Sequence, residues 1–385
     1  MTSMSTPMST STLRIDLSAY RHNLQQIQQQ IGDNCGIIPV IKSNAYGLGV
    51  IPIAHAALQE DVSMLAVGTI AEGLELREHF PKFPILILMQ PSDDELPAAV
   101  QNNFRLTLSN LHTAEIIGEL ARKSNRIINV HCEIDTGMGR QGFQLDQNPN
   151  AIQDITRISH VDIEGLFTHF PNADSADPAF TLEQIRQFNQ RLRALSDIGI
   201  PFEITHAANS AALIKYPESH YEAVRPGIIT YGIQPNNNVP KDSPFRPIAT
   251  WSTRIVLIRD LPENTPISYG STYHTKAPSK IATLPIGYAD GYPRALSNNA
   301  DVLIRGTRCP VRGTVTMNET MVDITDLPHA APGDPVILIG RDGDQTIHAE
   351  ELAETCNTIG YEILTGIGPQ VVREYHPTTP EIQTP

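Results

Sequence analysis

The sequence predicts an α/β protein in which a (β/α)8 TIM-like barrel is followed by a mostly antiparallel β domain. From Leu13 to about Tyr231, short β-rich runs alternate with segments whose apolar residues recur every three or four positions. Eight such alternations in about 220 residues fit a closed parallel barrel of ordinary size. After the proline-rich stretch Pro235–Pro247, strand-like runs follow one another through turns without crossover helices, which is typical of antiparallel sheets.

Each barrel strand is predicted from a short apolar run that is bounded by turn residues. The eight runs are Ile37–Ile41, Met64–Val67, Ile85–Leu88, Arg105–Leu108, Ile127–Ile134, Ile163–Thr168, Phe202–Thr205 and Glu222–Val224. Apolar periodicity predicts helices between them over Ile51–Leu58, Ala71–Glu78, Thr113–Lys123, Thr181–Leu195 and Ser210–Ile214. An open doubly wound sheet is the alternative fold, and it is disfavoured because no Gly-x-Gly-x-x-Gly motif follows the first strand.

The second half of the chain is predicted to be mostly strand, with one helix over about Ala349–Thr358. The predicted strands are Arg254–Leu257, Lys280–Pro285, Val302–Ile304, Met321–Ile324, Val336–Ile339 and Val371–Tyr375. The barrel is therefore assigned to residues 12–245 and the β domain to residues 246–377. Residues 1–11 are expected to form a disordered tail and residues 378–385 a flexible one, since neither has enough apolar residues to pack.

Composition narrows the class of protein. A formal net charge of −14 over 385 residues excludes a nucleic-acid binder, because phosphate contacts require clustered Lys and Arg. The four cysteines are far apart and form no Cys-x-x-Cys pair, so neither a metal site nor a disulfide framework is predicted. Reduced cysteines indicate a cytoplasmic protein. No apolar run approaches the roughly 20 residues that cross a membrane, so no membrane association is expected.

The stretch Pro39–Gly49 contains the first candidate for chemistry. Lys42 ends a short apolar run, and polar turn residues with two glycines follow it. At the end of a buried strand, apolar surroundings lower the pKa of a lysine and make its neutral amine available for a covalent bond to a carbonyl carbon. Taken alone, the stretch fits a surface lysine beside an ordinary turn better than a reactive one.

Other unusual residues follow the ends of later barrel strands, where barrel enzymes build their sites. These segments are Asp135–Arg140, Thr168–Phe170, His206–Ser210 and Arg225–Gly227. Ser210 and the segment Arg225–Ile228, together with Tyr46, offer hydroxyl and backbone N–H groups of the kind that bind phosphate. A lysine, a phosphate site and cationic groups at one end of a barrel predict a site for pyridoxal 5'-phosphate (PLP), bound covalently to Lys42.

Each of these residues also has an ordinary explanation when taken singly. Ser210 fits a helix N-cap, and His169 fits a hydrogen-bonded core histidine. Arg140 and Arg225 fit salt bridges at the rim of a barrel. Their shared placement beside a lysine at a strand end is what favours a functional site over packing.

Three turns of the predicted β domain carry aromatic and polar groups: Ile267–Tyr273, Ile286–Gly291 and Thr316–Glu319. Tyr269 and Tyr288 lie in the first two, and Tyr361 follows the predicted helix. Packing at the end of a strand would explain each tyrosine, and sequence spacing does not choose between packing and function.

These motifs, in this order, resemble the alanine racemase family, whose members combine a PLP-binding barrel with a C-terminal β domain. The resemblance covers about Leu13 to Tyr375. The matching motifs are Lys42–Gly47, Asp135–Arg140, His206–Ser210, Val224–Gly227, Ser268–Gly270 and Gly287–Gly291. The resemblance implies interconversion of L-alanine and D-alanine with PLP as cofactor, a homodimer, and supply of D-alanine for peptidoglycan.

The resemblance also implies a role for each residue at a matching position. Lys42 would hold PLP and act as the base on one face of the substrate, and Tyr269 of the partner subunit would be the base on the other face. The substrate would be contacted or admitted by Arg140, Met317 and Tyr288. The phosphate would be held by Tyr46, Ser210, Gly227, Ile228 and Tyr361. Arg225 would face the pyridine nitrogen, and His169 would lie close to Tyr269.

Two positions depart from the pattern of the family. A lysine that is often carbamylated in the family is Glu133 here, seven residues before Arg140, and Glu133 is expected to orient Arg140 without CO2. The residue after Met317, commonly aspartate, is Asn318, which removes a charge near the expected site.

Three other functions are weighed against racemisation of alanine. A racemase acting on serine or on a broader set of amino acids would differ in pocket size, which the sequence does not give. A non-catalytic PLP-binding barrel of the homeostasis type would lack a β domain with a second base, so Ala249–Tyr375 opposes it. A basic amino-acid decarboxylase of related architecture would place an acid, rather than Arg225, at the pyridine nitrogen.

Overall fold

The computed structural model describes residues 10–144, 150–240 and 242–377. Internal contacts divide the chain into two compact units. The barrel unit comprises Arg21–Ala45 and Val50–Thr230; the β unit comprises the chain up to Tyr20, the short segment Tyr46–Gly49 and the chain from Tyr231 onward. The sequence predicts a barrel over residues 12–245 and a β domain over residues 246–377. In the structure, residues 12–20 and 231–245 instead belong to the β unit.

The tails expected at 1–11 and 378–385 lie almost entirely outside the described residues. Two residues of the first tail are described, and both have specific partners. The carbonyl oxygen of Thr10 accepts a hydrogen bond from the Thr253 hydroxyl at 2.7 Å, and Ser11 Oγ accepts one from the indole N–H of Trp251 at 2.8 Å. Ser11 is buried. The expectation of disorder therefore does not hold for these two residues.

Eight parallel strands form the barrel unit, which confirms the predicted TIM-like fold. In chain order they are Gly36–Ile37, Leu65–Val67, Ile85–Ile87, Arg105–Leu108, Ile128–Asp135, Val161–Phe167, Ile204–His206 and Ala223–Val224. Each strand from the second onward pairs with the next, and the eighth pairs with the first through Ala223 and Gly36. A parallel bridge between Val40 and Ala66 joins the first strand to the second and closes the ring.

Helices connect most of the barrel strands, with one short strand, Phe143–Gln144, beside the fifth. The helices of this part of the chain are Leu17–Ile31, Val50–Ala57, Ile70–His79, Leu96–Gln101, Leu111–Lys123, Asn150–Ile155, Ala179–Asp197 and Ser210–Lys215. The sequence prediction omits three of them, including Leu17–Ile31. That helix does carry the helical spacing, because Leu17, Tyr20, Leu24 and Ile27 are all buried.

The barrel interior contains an apolar layer near the first two strands. It consists of the buried side chains of Ile38, Val40, Met64, Ala66, Leu86 and Ala223. The branched and apolar residues that predict these strands from sequence are therefore the ones that fill this layer. Farther along the ring, buried polar side chains replace apolar ones, including His131 and Glu164.

The β unit contains three sheets in its described residues. The largest has seven strands: Thr307–Pro310, Asp301–Ile304, Pro335–Asp342, Ala249–Arg254, Thr12–Asp16 and Val372–His376 in spatial order, with Gln345–Ile347 paired to Pro335–Asp342. A second sheet contains Leu257–Leu261, Ser279–Leu284 and Thr320–Asp323, and a third contains Pro266–Ile267 and Tyr273–His274. All pairings are antiparallel except that between Thr12–Asp16 and Val372–His376.

Two details of the β unit differ from the sequence prediction. The single strand expected over Arg254–Leu257 is instead the junction of two strands, which end at Arg254 and begin at Leu257 in different sheets. The one expected helix is shorter, Ala349–Thr355, and a second helix, Gly360–Thr365, follows it. Among the described helices of the whole chain, none combines the length and the apolar character that crossing a bilayer requires.

Candidate active site

The chain makes a left-handed turn directly after Lys42. The four residues Ser43–Tyr46 all have positive φ angles, between 51° and 56°. Each such residue costs about 1–2 kcal/mol relative to the right-handed conformation, so a run of four requires support from its surroundings. Glu72 supplies part of this support, because its Oε1 accepts the backbone N–H of Ser43 at 2.5 Å. The turn fixes the direction in which the chain leaves Lys42.

Lys42 is half-buried and lies five residues after the first barrel strand, Gly36–Ile37. Burial lowers its pKa from the ordinary value, and the positive charge of Arg140 lowers it further, while the carboxylate of Glu72 opposes both effects. A lowered pKa increases the fraction of neutral amine at neutral pH, which is the form that attacks a carbonyl carbon. The geometry therefore supports the reactive interpretation of this lysine.

The loop after the fifth strand presents Arg140. Asp135 shapes it, because one carboxylate oxygen accepts the N–H groups of Gly137 at 2.9 Å and Gly139 at 3.1 Å. Both glycines have positive φ angles, which other residues rarely adopt. Arg140 itself is exposed and forms no ion pair with any residue that the structure describes. Its guanidinium is therefore available for an anionic ligand.

Glu133 does not orient Arg140 through a direct contact, contrary to expectation. Its carboxylate is buried and accepts a hydrogen bond from the side-chain amide of Gln141, which also donates to the carbonyl oxygen of Leu88 at 2.8 Å. Burial raises the pKa of Glu133 to about 7, although the Gln141 hydrogen bond and the charges of Arg225 and Arg140 oppose the rise. Glu133 thus exchanges a proton in the neutral range of pH.

The guanidinium of Arg225 is buried and almost fully hydrogen-bonded. Its Nη1 donates to Nδ1 of His206 at 2.6 Å and to the carbonyl oxygen of the same residue at 2.8 Å, while Nη2 donates to the carbonyl oxygens of Thr168 at 2.7 Å and Ala207 at 3.1 Å. Burial lowers the Arg225 pKa to about 10, so the group stays cationic at neutral pH. In the described parts of the chain, the Nε–H alone of its five N–H groups lacks an acceptor.

His169 lies beside Arg225, with its Nδ1 3.3 Å from Nη2 of the arginine. Burial lowers the pKa of His169 to about 3, and the charges of Arg225, Arg140 and Lys42 lower it in the same direction. His169 is therefore neutral at physiological pH, with Nδ1 as the acceptor and Nε2 as the donor. Because the charges of Lys42, Arg140 and Arg225 all lower the pKa of His169, these three residues lie around one region of the barrel unit.

A set of N–H donors surrounds Ser210. The Ser210 hydroxyl oxygen accepts the N–H groups of Gly227 at 2.9 Å and Ile229 at 3.3 Å, which leaves its own proton to donate elsewhere. Across the described ranges, the backbone N–H groups of Ser210, Ala211 and Ile228 donate to no residue. Converging donors of this kind bind a phosphate group. Ser210, Gly227 and Ile228, which were predicted together from sequence, are thus brought together.

In the β unit, Tyr46 and Tyr361 lie in one aromatic cluster. Their ring centroids are 6.0 Å apart, and Tyr46 is 5.1 Å from Tyr231 on its other side. Burial raises the pKa of Tyr46, so its hydroxyl keeps its proton and acts as a hydrogen-bond donor. These two predicted phosphate ligands therefore adjoin each other within the β unit.

The remaining predicted residues of the β unit, Tyr269, Tyr288 and Met317, are large side chains exposed by 76%, 45% and 55%. The turn at Tyr288 is attached to the Met317 segment, because Tyr288 N–H donates to the Thr316 carbonyl and Ala289 N–H to the Met317 carbonyl, both at 3.0 Å. Ser268 and Gly270, on either side of Tyr269, have positive φ angles. Strained turns thus hold apolar side chains in solvent, as is usual where another surface binds.

Sequence reasoning missed several residues that shape this region. Glu72 belongs to a capping box with Thr69, and the Thr-x-x-Glu spacing is visible in the sequence as a helix start. What the spacing does not reveal is that the same carboxylate reaches the turn after Lys42. His131 and Glu164 lie inside predicted strands, where their hydrogen bonds to other strands leave no local signal.

The barrel unit defines the class of the protein before any comparison is made. Barrel enzymes carry out their chemistry at the carboxyl ends of the strands, and Lys42 follows the first of them. An amine of lowered pKa, N–H donors suited to a phosphate and a buried arginine with one free N–H fit an enzyme site at this end of the barrel. The protein is a barrel enzyme with a β domain.

Comparison with known proteins gives the family. Family models described as alanine racemase, N-terminal domain, and alanine racemase, C-terminal domain, match residues 15–235 and 248–375. A protein of Halothermothrix orenii named alanine racemase is 42% identical over 361 residues, covering 94% of this chain and 95% of that protein. An alanine racemase structure from Clostridium difficile 630 superposes with a TM-score of 0.90 at 35% identity, covering 96% of each chain. An alanine racemase structure from Bartonella henselae, described with covalently bound pyridoxal phosphate, gives a TM-score of 0.85 at 28% identity, covering 95% of this chain and 99% of that one.

The chain therefore belongs to the alanine racemase family. Racemisation of alanine is the activity that this membership supports, and the family, fold and reaction predicted from the ordered motifs are confirmed. The roles of individual residues are a separate matter and depend on the geometry above.

Proposed function

We propose that the protein interconverts L-alanine and D-alanine with PLP as its cofactor and two bases, Lys42 and Tyr269, on opposite faces of the substrate. The observation that carries the proposal is that the barrel unit combines Lys42, whose pKa is lowered, with N–H donors that bond to no described residue. The D-alanine formed would supply peptidoglycan synthesis. A homodimer is proposed as well, because Tyr269 would serve the partner subunit, and so is a cytoplasmic location.

The residues present fit PLP. The N–H groups of Ser210, Ala211 and Ile228, with the Ser210 hydroxyl, match the acceptor oxygens of a phosphate. The Nε–H of Arg225 matches the lone pair of a pyridine nitrogen, since a guanidinium donates and does not accept. Tyr46 and Tyr361 of the β unit are proposed to add hydroxyl donors to the phosphate. PLP would be held on the Lys42 amine until the amine of alanine takes its place; it would then supply electron withdrawal from the α-carbon, which makes the α-proton acidic and leaves the Lys42 amine free.

Two bases account for inversion at this carbon. The neutral amine of Lys42, favoured by its lowered pKa, accepts or returns the α-proton on one face. The phenol of Tyr269 of the partner subunit exchanges a proton on the other face, with His169 nearby as a neutral hydrogen-bond partner. Exposure of Tyr269 by 76% supports its action outside its own β unit, because a large apolar side chain in solvent indicates a surface that binds another.

Substrate binding is proposed for residues that present groups free of described partners. The exposed guanidinium of Arg140 would bind the alanine carboxylate. The Met317 carbonyl is engaged by Ala289 N–H, so the Met317 N–H is the backbone group left to contact substrate. Tyr288 would line the entrance. Glu133 has no amine to be carbamylated, so no CO2 requirement is expected.

A chiral assay with L-alanine and PLP tests the function. We expect D-alanine from the native protein, none above background from Lys42→Ala, and a large loss with Tyr269→Phe, which removes only the phenol. Borohydride reduction followed by peptide mapping should find the cofactor on Lys42. Lys215→Ala is a matched control, since the Lys215 amine donates to the carbonyls of Asp174 and Ser175. Full activity in Lys42→Ala would contradict the mechanism.

Mixing two inactive variants tests the shared site. If Tyr269 serves the partner subunit, a hybrid dimer of Lys42→Ala and Tyr269→Phe chains contains one intact site and one doubly altered site, so activity returns on subunit exchange. If Tyr269 serves its own subunit, neither site of the hybrid is intact and no activity returns. Tyr273→Phe, which keeps the ring that stacks on Arg312, is the control for a phenol change in the same unit. A panel of alanine, serine and lysine in the same assay measures substrate breadth.

A further inference from the structure

Four polar side chains form a continuous hydrogen-bonded line inside the barrel, extending away from Arg225. Nη1 of Arg225 is 2.6 Å from Nδ1 of His206, and Nε2 of His206 is 2.7 Å from Nδ1 of His131. Nε2 of His131 is 2.9 Å from a carboxylate oxygen of Glu164. All four residues are buried. The line therefore connects a buried cation to a buried anion through two imidazole rings.

The partners fix the direction of every hydrogen bond in this line. Arg225 only donates, so Nδ1 of His206 must accept and its Nε2 must carry the proton. The same argument passes to His131, whose Nδ1 accepts from His206 and whose Nε2 donates to Glu164. Burial lowers the pKa of both histidines, so each ring is neutral and has one donor and one acceptor. One flipped tautomer would place two donors or two acceptors against each other.

Glu164 holds the far end of the line as an acceptor. Its two carboxylate oxygens accept from Nε and Nη2 of Arg105, both at 3.1 Å, and from the side-chain amide of Asn129 at 2.7 Å, besides His131. Burial raises the pKa of Glu164, but the hydrogen bonds from His131 and Arg105 outweigh burial and hold it at about 2. Glu164 therefore remains ionised at neutral pH and can only accept.

This hydrogen-bonded line destabilises the folded protein unless every buried donor in it has an acceptor. A buried imidazole N–H without an acceptor loses the hydrogen bond that it has in water, and apolar side chains of similar volume would fill the same space without that risk. A network that is fully satisfied, by contrast, holds each member in one orientation. The member with a free donor is Arg225, whose Nε–H points away from the line's hydrogen bonds.

We propose that Glu164 is a positioning residue that acts through His131 and His206 to fix the orientation of Arg225. The Glu164 carboxylate sets the tautomer of His131, and His131 in turn sets the tautomer of His206. His206 then presents an acceptor to Nη1 of Arg225, and this hydrogen bond fixes the direction of the Arg225 Nε–H. The final step, from Arg225 to a pyridine nitrogen, rests on the proposed function. The earlier steps concern the chain alone and hold with or without cofactor.

Glu164→Gln is the sharpest single change, because it keeps the shape of the side chain and turns one acceptor oxygen into an NH2 donor. If the amide nitrogen faces His131, that ring must accept at Nε2, and both histidines must then flip their tautomers. A donor at Nδ1 of His206 would oppose the Arg225 guanidinium. If the nitrogen faces the other way, it opposes Arg105 and Asn129. The first arrangement reverses the line, whereas the second keeps an acceptor oxygen towards His131 and leaves the line intact. Glu164→Leu, which offers His131 no acceptor in any orientation, is therefore measured beside Glu164→Gln.

The first measurement uses PLP-free protein labelled with 15N in histidine. Ring-nitrogen chemical shifts distinguish the two tautomers, and we expect His131 and His206 to carry their protons on Nε2 in the native protein and to lose this uniform state in Glu164→Leu. His131→Gln should preserve the native tautomer of His206, since its amide can accept from His206 and donate to Glu164. His131→Leu should not. An unchanged His206 tautomer in Glu164→Leu would overturn the proposal even if the enzyme lacks racemase activity.

The second measurement uses the PLP-loaded enzyme and a double-mutant cycle. Loss of a hydrogen-bond partner behind a contacting residue typically costs 10- to 100-fold, and we expect a fall in kcat/KM of about this size for Glu164→Gln and for His131→Leu. The double variant should be no worse than His131→Leu, because Glu164 then has no path to Arg225. Additive losses would overturn the proposal. His131→Gln should recover most of the activity.

Two controls distinguish the proposed positioning role of Glu164 from a general loss of structure. Glu222→Gln changes a glutamate of the barrel unit that accepts the Thr205 N–H at 2.9 Å, outside the line, and should retain native activity and histidine tautomers. Thermal unfolding of each variant checks the fold. If Glu164→Gln does not fold, Glu164→Asp and the two His131 variants carry the test, with rescue by His131→Gln but not by His131→Leu as the required result.

Discussion

The Oε1 atom of Glu72 accepts the backbone N–H of Ser43 at 2.5 Å, immediately after Lys42 in the chain. The other oxygen of the same carboxylate accepts the N–H groups of Gly68 at 2.7 Å and Thr69 at 3.2 Å. One side chain therefore caps a helix and supports the strained left-handed turn beside the lysine. Its negative charge also raises the pKa of Lys42, against the larger effect of burial. Glu72 therefore affects both the strained backbone turn after Lys42 and the pKa of the Lys42 amine.

Replacing Glu72 by alanine should both destabilise the protein and impair Lys42. Three backbone N–H groups lose their acceptor, which should lower the free energy of unfolding by about 1–3 kcal/mol and reduce kcat/KM for alanine. Glu75→Ala is the matched control, since Glu75 is exposed on the same helix, Ile70–His79. Urea unfolding and a chiral alanine assay measure the two effects. Equal stability of the two variants would show that the turn does not depend on Glu72.

The stability of the protein should depend on the charge of Glu133. Burial raises the pKa of this carboxyl from 4.5 to about 7, so the folded state binds its proton more tightly than the unfolded state does. Its contribution to stability is therefore complete below about pH 4.5 and is lost as pH rises through about 7. Glu133→Gln cannot ionise and escapes this loss. Relative to the native protein, the variant should gain stability from pH 5 to pH 8, by up to about 3 kcal/mol.

Urea unfolding at pH 5, 6, 7 and 8 measures this gain as a difference between the two proteins. Glu75→Gln, a charge change on an exposed helical surface, should follow the native protein at every pH. A constant difference between Glu133→Gln and the native protein across this range would mean that Glu133 does not titrate within it.

Ser210→Ala should weaken cofactor binding. The change removes the acceptor of the Gly227 and Ile229 N–H groups and one proposed donor to the phosphate. Hydrogen bonds to a charged group contribute about 1.5–3 kcal/mol, so the Kd for PLP should rise by roughly 10- to 100-fold. A PLP titration of cofactor-free protein measures this. Ser219→Ala, which removes a buried hydroxyl that donates to the Tyr216 carbonyl at 2.7 Å, should leave the Kd unchanged. Equal affinities in both variants would place the phosphate elsewhere.

Gly287→Ala should impair substrate turnover without weakening cofactor binding. A Cβ at this position would lie 2.2 Å from the Thr316 carbonyl oxygen and 2.4 Å from that of Met317, which is far inside contact distance. The Met317 segment must therefore move, and small displacements of positioning groups are costly to rate. We expect kcat/KM for alanine to fall by about tenfold or more. The PLP titration provides the control, and an equal loss of cofactor affinity would contradict a local effect.

The barrel strands were predictable because each carries its signal locally. Runs such as Ile85–Leu88 and Arg105–Leu108 combine apolar and β-branched residues between turn signals, and the structure has strands at Ile85–Ile87 and Arg105–Leu108. The strand Thr12–Asp16 was not predicted, and its position in a sheet depends on partners far along the chain, Ala249–Arg254 and Val372–His376. A local sequence pattern can predict a strand, but it does not predict which strands pair with it in a sheet.

The candidate site shows the same limit for side chains. Lys42, Arg225 and Ser210 follow strands and are visible as strand-end residues. Glu133 was expected to orient Arg140, but its carboxylate accepts a hydrogen bond from the adjacent residue Gln141. Three-dimensional packing decides which of two neighbouring residues bonds to Glu133. The line from Arg225 to Glu164 joins residues of four different strand ends and strand interiors, so no window of sequence contains it.

The parallel pairing of Thr12–Asp16 with Val372–His376 orders events during synthesis. The ribosome makes the first of these strands at the outset, whereas its two sheet neighbours emerge roughly 240 and 360 residues later. Barrel strands from the second to the eighth pair with their neighbours in sequence, whereas the pairing of the eighth with the first also joins distant residues. The barrel is thus inserted between the strand Thr12–Asp16 and its sheet partners, and it is synthesised before they are. A chain that ends before Val372 leaves one edge of Thr12–Asp16 unpaired, where a strand of another chain can pair with it.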